Sequence, residues 1–310
     1  MHKIISFLLF CCVPFAAQAT PLELMTGPKT GTYYSIGKDI AAVAKKENFS
    51  VNVQSSEGSV DNIKRMNQGQ GPSLAIVQSD VLGFLNRSNN PALPKMLSRL
   101  RVLAPFYMEE VHVLARMDIR DFKDLQDLNV AVGEEGSGHM LTALNLLAIE
   151  HVTPAEIRKI SPEEGVVEVL LGNLDAVVIV GGKPMRLFKN LEDLSNPENK
   201  KFRLLMDQVH FLPMNNAKFY EEYEPTEITA NDYDFVKTTV PTISVQSMLV
   251  SLDSASSNGG TERCESLKKL LHILRDNKDY LKRNGHPKWY EVNFDKEVVG
   301  WKKDACVEQN

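Results

Sequence analysis

The chain has 310 residues, 43% of them hydrophobic, and a formal net charge of −5. That is apolar material for a sizeable core and length for about two domains. The slight acidity, with no basic stripe, excludes a broad nucleic-acid-binding surface.

In chain order, residues 1–19 carry the marks of export. Lys3 supplies a positive end, residues 4–17 are almost wholly apolar, and Ala17-Gln18-Ala19 offers the small-x-small pattern of a signal-peptidase site. Cleavage is expected after Ala19, which would release the mature chain into the periplasm. The apolar stretch is short for a membrane span. A lipid-anchor site needs a small residue before its cysteine, and here Phe10 precedes Cys11 and Cys11 precedes Cys12. A later apolar run, 166–180, is broken by Glu168, Gly172, Asn173 and Asp175, so no direct membrane insertion is expected of the mature protein. Of four cysteines, cleavage leaves Cys264 and Cys306. An even pair in an oxidising compartment points to one disulfide, with two free thiols as the other reading. No histidine or third cysteine stands at ligand spacing beside them, so no metal is expected there.

Leu22-Glu23-Leu24-Met25-Thr26 reads as a first strand. Ile36, Ile40, Val43 and Ala44 follow at helical spacing, closed by Lys45 and Lys46, where cations suit the helix dipole. Val51-Asn52-Val53-Gln54 alternates as a second strand, and Ser59 caps a helix with Asn62 in its first turn. Leu74-Ala75-Ile76-Val77 is apolar throughout, as in a strand buried on both faces. The β-α-β-α-β order predicts a parallel sheet with right-handed crossovers. Residues 100–105 and 111–115 read as two further strands, and His112 sits in the second as a structural residue. Asn129-Val130-Ala131-Val132 opens a second such series, with helices over 139–150 and 164–171 and a buried strand over 175–180 that Gly181-Gly182-Lys183-Pro184 terminates. Residues 241–245 form a strand that returns the chain to the first half. Residues 254–260 are small and polar, a loop. Leu267, Leu270, Leu271, Leu274 and Leu281 mark one long amphipathic helix.

Two Gly/Ser/Thr segments stand out: Thr26-Gly27-Pro28-Lys29-Thr30-Gly31-Thr32-Tyr33-Tyr34 and Gly133-Glu134-Glu135-Gly136-Ser137-Gly138-His139. Each follows a strand and opens a helix, where free backbone N–H groups receive an anion. Thr32 and Ser137 offer hydroxyls beside those groups, Tyr33 and Tyr34 flat walls with phenolic donors, and Gln78 both a donor and an acceptor. Gly31 and Gly138 allow close backbone approach. Other readings stand beside these. Thr32 and Ser137 can cap their own helices, one tyrosine can pack in the core, Asp80 suits a first helical turn by its charge alone, and His139 fits a surface turn.

Taken together, Gly31-Thr32-Tyr33-Tyr34-x-Ile36-Gly37, Gly58-Ser59-Val60-x-Asn62, Ala75-Ile76-Val77-Gln78-Ser79-Asp80-Val81, Val111-His112-Val113, Gly136-Ser137-Gly138 and Leu174-Asp175-Ala176 resemble the TAXI-type solute receptors of TRAP transporters, a branch of the periplasmic binding proteins. The likeness runs across most of 22–190 and is looser beyond. It implies an α/β, two-lobed type II clamshell, each lobe a mixed, mostly parallel sheet flanked by helices. Residues 20–110 with 241–310 would form one lobe and 111–240 the other. It further implies a receptor with no catalytic step and no cofactor, which captures a glutamate-like amino acid or a dicarboxylate and delivers it to a TRAP-type membrane permease. By position, Gly31, Thr32, Tyr33, Tyr34, Ser59, Gln78, Ser79 and Asp80 would line one side of the site. Ser137, Gly138 and His139 would line the other, with Gly182 nearby.

The chain departs from the family pattern at Thr30, His139, Glu134 and Glu135. The two glutamates raise the negative potential beside an anion-receiving helix start. Lys29 and His139 offset it, the glutamates face solvent, or the site takes a zwitterion or a cationic group. Two other functions compete. A sensor or adaptor on the same fold would bind a solute and report to a membrane partner. A secreted hydrolase would need machinery that is missing here: there is no Gly-x-Ser-x-Gly elbow and no His-Glu-x-x-His, and Ser137 and His139 are chain neighbours.

Overall fold

A computed structural model describes residues 21–68, 73–87, 98–194, 199–253 and 260–307. The expected export segment over 1–19 and most of the expected loop over 254–260 lie outside the described residues. The strands are β1 (Leu22–Met25), β2 (Val51–Gln54), β3 (Leu74–Gln78), β4 (Leu100–Arg116), β5 (Asn129–Ala131), β6 (Glu156–Arg158), β7 (Ala176–Gly181), β8 (Val209–Phe211), β9 (Glu224–Ile228) and β10 (Val240–Leu252). The helices are α1 (Thr32–Lys46), α2 (Ser59–Met66), α3 (Val81–Arg87), α4 (Gly138–Glu150), α5 (Pro162–Leu170), α6 (Arg186–Leu194), α7 (Lys200–Met206), α8 (Gly260–Asp276) and α9 (Lys278–Asn284).

These strands form one sheet in the order β2-β1-β3-β10-β4-β7-β5-β6, with β8 beside β4 and β9 beside β10. The expected parallel trios appear at both ends: β2, β1 and β3 run parallel, as do β6, β5 and β7. Between them β4 and β10 run antiparallel to each other and to β7 and β3. The two strands expected over 100–105 and 111–115 are a single strand of 17 residues. At Glu110 this strand changes company, because the same residue pairs with Ser244 of β10 and Gly181 of β7. Register shifts in β10 near Gln246 and Leu249 bend the paired ribbon between the halves.

Four apolar clusters cover the two faces of each half. In the first half, Ile36, Ile40 and Val43 of α1 meet Leu267, Leu270 and Leu274 of α8 over β1 and β3, while Ile63 and Met66 of α2 cover the opposite face. The stripe read from the sequence is therefore core, each such side chain stabilising by about 1.5–3 kcal/mol on burial. In the second half, Ala143, Leu146 and Leu147 of α4 cover one face, and Val166, Val169 and Phe188 of α5 and α6 the other. His112 is buried among Phe188, Phe211 and Tyr233, accepting or donating at both ring nitrogens, so it is structural as expected. The long C-terminal helix expected through Leu281 is two helices, broken at Asn277. Cys264 of α8 is bonded to Cys306, which fastens the C-terminal segment to the first half. No helix among the described residues is long and apolar enough to cross a membrane.

Candidate ligand site between the lobes

Three loops at the ends of parallel strands converge on one crevice. The turn after β1 leads into α1 with Gly31 at its N-cap and no side-chain cap, so the hydroxyl of Thr32 is not spent on its own helix. The turn after β5 leads into α4, and there capping is what the serine does: Ser137 Oγ accepts the Met140 N–H at 3.1 Å. The turn after β2 leads into α2, where Gly58 rather than Ser59 is the N-cap. Gly58 has φ +124, and a Cβ there would lie 3.2 Å from the Gly138 nitrogen, so both backbone conformation and space call for glycine.

The halves touch directly along this line. Val60 and Asp61 both donate their N–H to the Gly136 carbonyl at 3.1 Å. Gly138 lies so close to Gln78 that an added Cβ would sit 2.0 Å from Gln78 Oε1. The Gln78 N–H in turn donates to Ser59 Oγ at 3.1 Å. Asn62, buried at the base of α2, donates to the Thr26 and Ile76 carbonyls and so ties α2 to the ends of β1 and β3.

These contacts border a cavity of about 400 Å³. Gly31, Thr32, Tyr33, Ser59 and Gln78 reach it from the first half, and Ser137, Gly138 and His139 from the second. Tyr34, Ser79, Asp80 and Gly182 lie outside its lining, against expectation, and each has another partner. Lys38 Nζ stands over the Tyr34 ring at 5.6 Å. The Ser79 carbonyl accepts Trp301 Nε1–H at 3.2 Å. Gly182 is packed on the stem of Lys288, which a Cβ would approach to 2.6 Å.

Asp80 joins the halves instead of lining the cavity. Its Oδ2 accepts the Thr142 hydroxyl of α4 at 2.7 Å and the Tyr223 hydroxyl at 3.0 Å, while its carbonyl accepts Asn145 Nδ2 at 3.3 Å. Oδ1 is buried with no hydrogen-bond partner among the described residues. Burial pushes this carboxyl up to about 6, partly opposed by the two hydroxyls. Beside it Arg87 of α3 makes a two-pronged pair with Glu222 at 2.6 and 2.8 Å.

The sequence reading missed the acids of the cavity wall other than Glu134. Glu109, in the middle of β4, is only 4% exposed and lines the cavity. Its Oε2 accepts the Tyr33 hydroxyl at 2.7 Å. Burial, aided by the charges of Asp80 and Glu110 and only partly opposed by the Tyr33 hydroxyl and Lys288, pushes its carboxyl up to about 8. Glu57, Glu134 and Glu163 also border the cavity, and so do Arg186 and Asn190 of α6. Burial and the neighbouring Glu57, Glu163 and Glu164 push Glu134 up. His139 Nδ1 accepts the Val180 N–H at 3.0 Å, which leaves the proton of a neutral ring on Nε2. Burial lowers its pKa to about 4, so it offers a neutral donor. A signal for Glu109 was present: Glu109-Glu110 is the one acidic pair inside a mostly apolar 17-residue strand. Glu110 is the structural member, held by Lys288 Nζ at 2.9 Å and by the Lys183 N–H at 2.8 Å.

Among solved structures, MatC from Rhodopseudomonas palustris with bound malate is similar at 13% identity and a TM-score of 0.50, over 88% of this chain and 90% of that one. An ancestral arginine-binding protein bound to arginine is similar at 15% identity and a TM-score of 0.49, over 86% and 99%. A histidine kinase sensor domain with similarity to periplasmic binding proteins follows at 12% identity and 0.48, over 89% and 98%. The mixed α/β architecture with two parallel trios joined by antiparallel crossing strands is the type II periplasmic-binding-protein fold. The model of the NMT1-like family matches residues 24–259, and the chain belongs to that family.

Proposed function

We propose that this protein is an exported solute receptor that encloses a small amino acid or carboxylate between its lobes and hands it to a TRAP-type membrane permease. One observation supports this most: the cavity of about 400 Å³ is walled by the open ends of α1 and α4, one from each half, and lies where both halves touch. The first N–H groups of α1, which has no side-chain cap, and of α4, where Ser137 occupies only that of Met140, receive an acid group, and Thr32 and His139 add neutral donors.

The same geometry gives the closing movement. Among the described strands only β4 and β10 run through both halves, so they are the hinge. Lys288, 1% exposed, grips Glu110 at the crossing point and fixes where the bend occurs. Contacts on the cavity side, Asp80 to Thr142 and Tyr223 and α2 to Gly136, exist only when the halves meet. A ligand touching both helix ends favours that state, and the closed form is what a permease recognises. No catalytic step is part of this reading.

The test is calorimetry on the mature chain, beginning at Thr20, after unfolding and refolding to strip bound solute. Saturable binding of one member of a panel of amino acids and carboxylates supports the receptor. No binding across the panel refutes it. A multi-span permease that co-purifies with the loaded form supports transport, whereas a histidine kinase in its place moves the protein to sensing.

A further inference from the structure

The charge balance of the cavity is opposite to that of a site for dianions. Glu109 is buried in its wall with one hydrogen-bond donor among the described residues, Tyr33. The nearest lysine of opposite charge, Lys288, is already committed to Glu110 and Glu291 at 2.9 and 2.7 Å. Glu57, Glu134 and Glu163 add acidic groups at the rim, against one full positive charge among the described lining residues, Arg186. A second acid group on a solute would find no second cation among the described lining residues, and the buried wall around Glu109 would resist its charge. A buried carboxylate left without a cation is the costly feature of the wall, and a cation brought by the ligand relieves it.

We propose that the solute carries a cationic nitrogen, an ammonium or guanidinium, that seats on Glu109, and that its net charge is zero or positive. Its acid group faces Arg186 and the helix ends. This rests on the receptor reading and narrows it: neutral and basic amino acids fit, whereas glutamate and dicarboxylates do not. Other ionisable groups face Glu109 from every side, namely Tyr33 from α1, Tyr107 and Glu110 from β4, Asp80 after β3, and Lys288 from the C-terminal segment. Because the empty Glu109 carboxyl is held up to about 8, seating a cation on it expels a proton. Affinity therefore rises with pH, by up to about tenfold per pH unit below that value. An acid group bound to protonated Glu109 would give the reverse slope.

The experiment is calorimetry on the stripped mature chain from pH 6 to 9 with L-lysine, L-arginine, L-glutamine, L-glutamate, succinate and 2-oxoglutarate. We expect binding within the first three, a rising affinity with pH, and a loss of about 30-fold or more in Glu109→Gln. Glu109→Asp, which keeps the charge, should retain part of the affinity, and thermal melts check that both variants fold. Tightest binding of glutamate or a dicarboxylate, a falling pH slope, or unchanged affinity in Glu109→Gln overturns the assignment while leaving the receptor reading intact. No binding by any member sinks the receptor reading and this inference with it.

Discussion

Replacing Glu109 by glutamine should make the empty protein more stable at neutral and alkaline pH, although it damages the site. The folded-state carboxyl sits at about 8 against an ordinary 4.5 because burial disfavours its charge. At about 1.4 kcal/mol per pH unit, ionising it in place costs about 5 kcal/mol. The folded value is raised, so its stabilising contribution is complete below pH 4.5 and is lost as pH climbs toward 8. At pH 7 the loss is already about 3 kcal/mol. Glutamine has nearly the same shape, can still accept the Tyr33 hydroxyl, and does not titrate. The difference in unfolding free energy between variant and wild type should therefore swing toward the variant by about 3–5 kcal/mol from pH 4.5 to 8.5. His139 titrates in both proteins and cancels in the difference, whereas the charge of Asp80, which raises Glu109, is part of the swing. Urea unfolding midpoints of ligand-free protein, taken across that range, measure it. Two midpoint curves that run parallel would refute the claim that Glu109 is an unpaired buried acid.

Three further outcomes follow from particular contacts. Gly138→Ala should leave the melting temperature of the empty protein nearly unchanged but weaken ligand binding by about tenfold or more, because the new methyl would lie 2.0 Å from Gln78 Oε1 only when the halves meet; equal affinity by calorimetry would exclude that close approach. Tyr223→Phe removes one of two donors to the buried Asp80 carboxylate, so the closed form should lose about 1–2 kcal/mol and affinity about tenfold. The deficit should shrink as pH falls through about 6, where Asp80 takes up a proton and no longer presents a charge for the hydroxyl to stabilise, and a pH-independent difference would speak against this role. Breaking Cys264–Cys306 by a double serine substitution opens a loop with a sequence separation of 42 residues and should cost about 4 kcal/mol, read as a lower urea midpoint. Midpoints that agree with and without reductant would show that the bond does not constrain the unfolded chain.

Much of the architecture was legible because it is local. Alternating or wholly apolar runs marked β1, β2, β3, β5 and β7, and helical spacing marked α1 and α4. The glycine turns between them identified the two helix starts that border the cavity. What misled was continuity. The sequence reading placed two strands over 100–105 and 111–115, and the residues between them include the acidic pair Glu109-Glu110, whose partners lie far away in the chain. In the fold, Glu110 has Lys288 from the far end of the chain and Glu109 has a cavity, so the strand runs through. The break at Asn277 was missed for a related reason, since leucine spacing persists on both sides of it.

The amino-acid order by itself determined the two α/β halves, the positions of their helix starts and a cysteine pair able to bond. It did so because periodicity and turn chemistry act over a few residues. Only the three-dimensional packing decided which polar groups face the crevice and which hold the halves together. Asp80 and Gln78 are two residues apart, yet one latches onto Thr142 and Tyr223 while the other lines the cavity. The sign of the crevice was decided there too: residues far apart in the chain, Glu57, Glu109, Glu134 and Glu163, meet around one volume, and Coulomb interactions depend on distance in space.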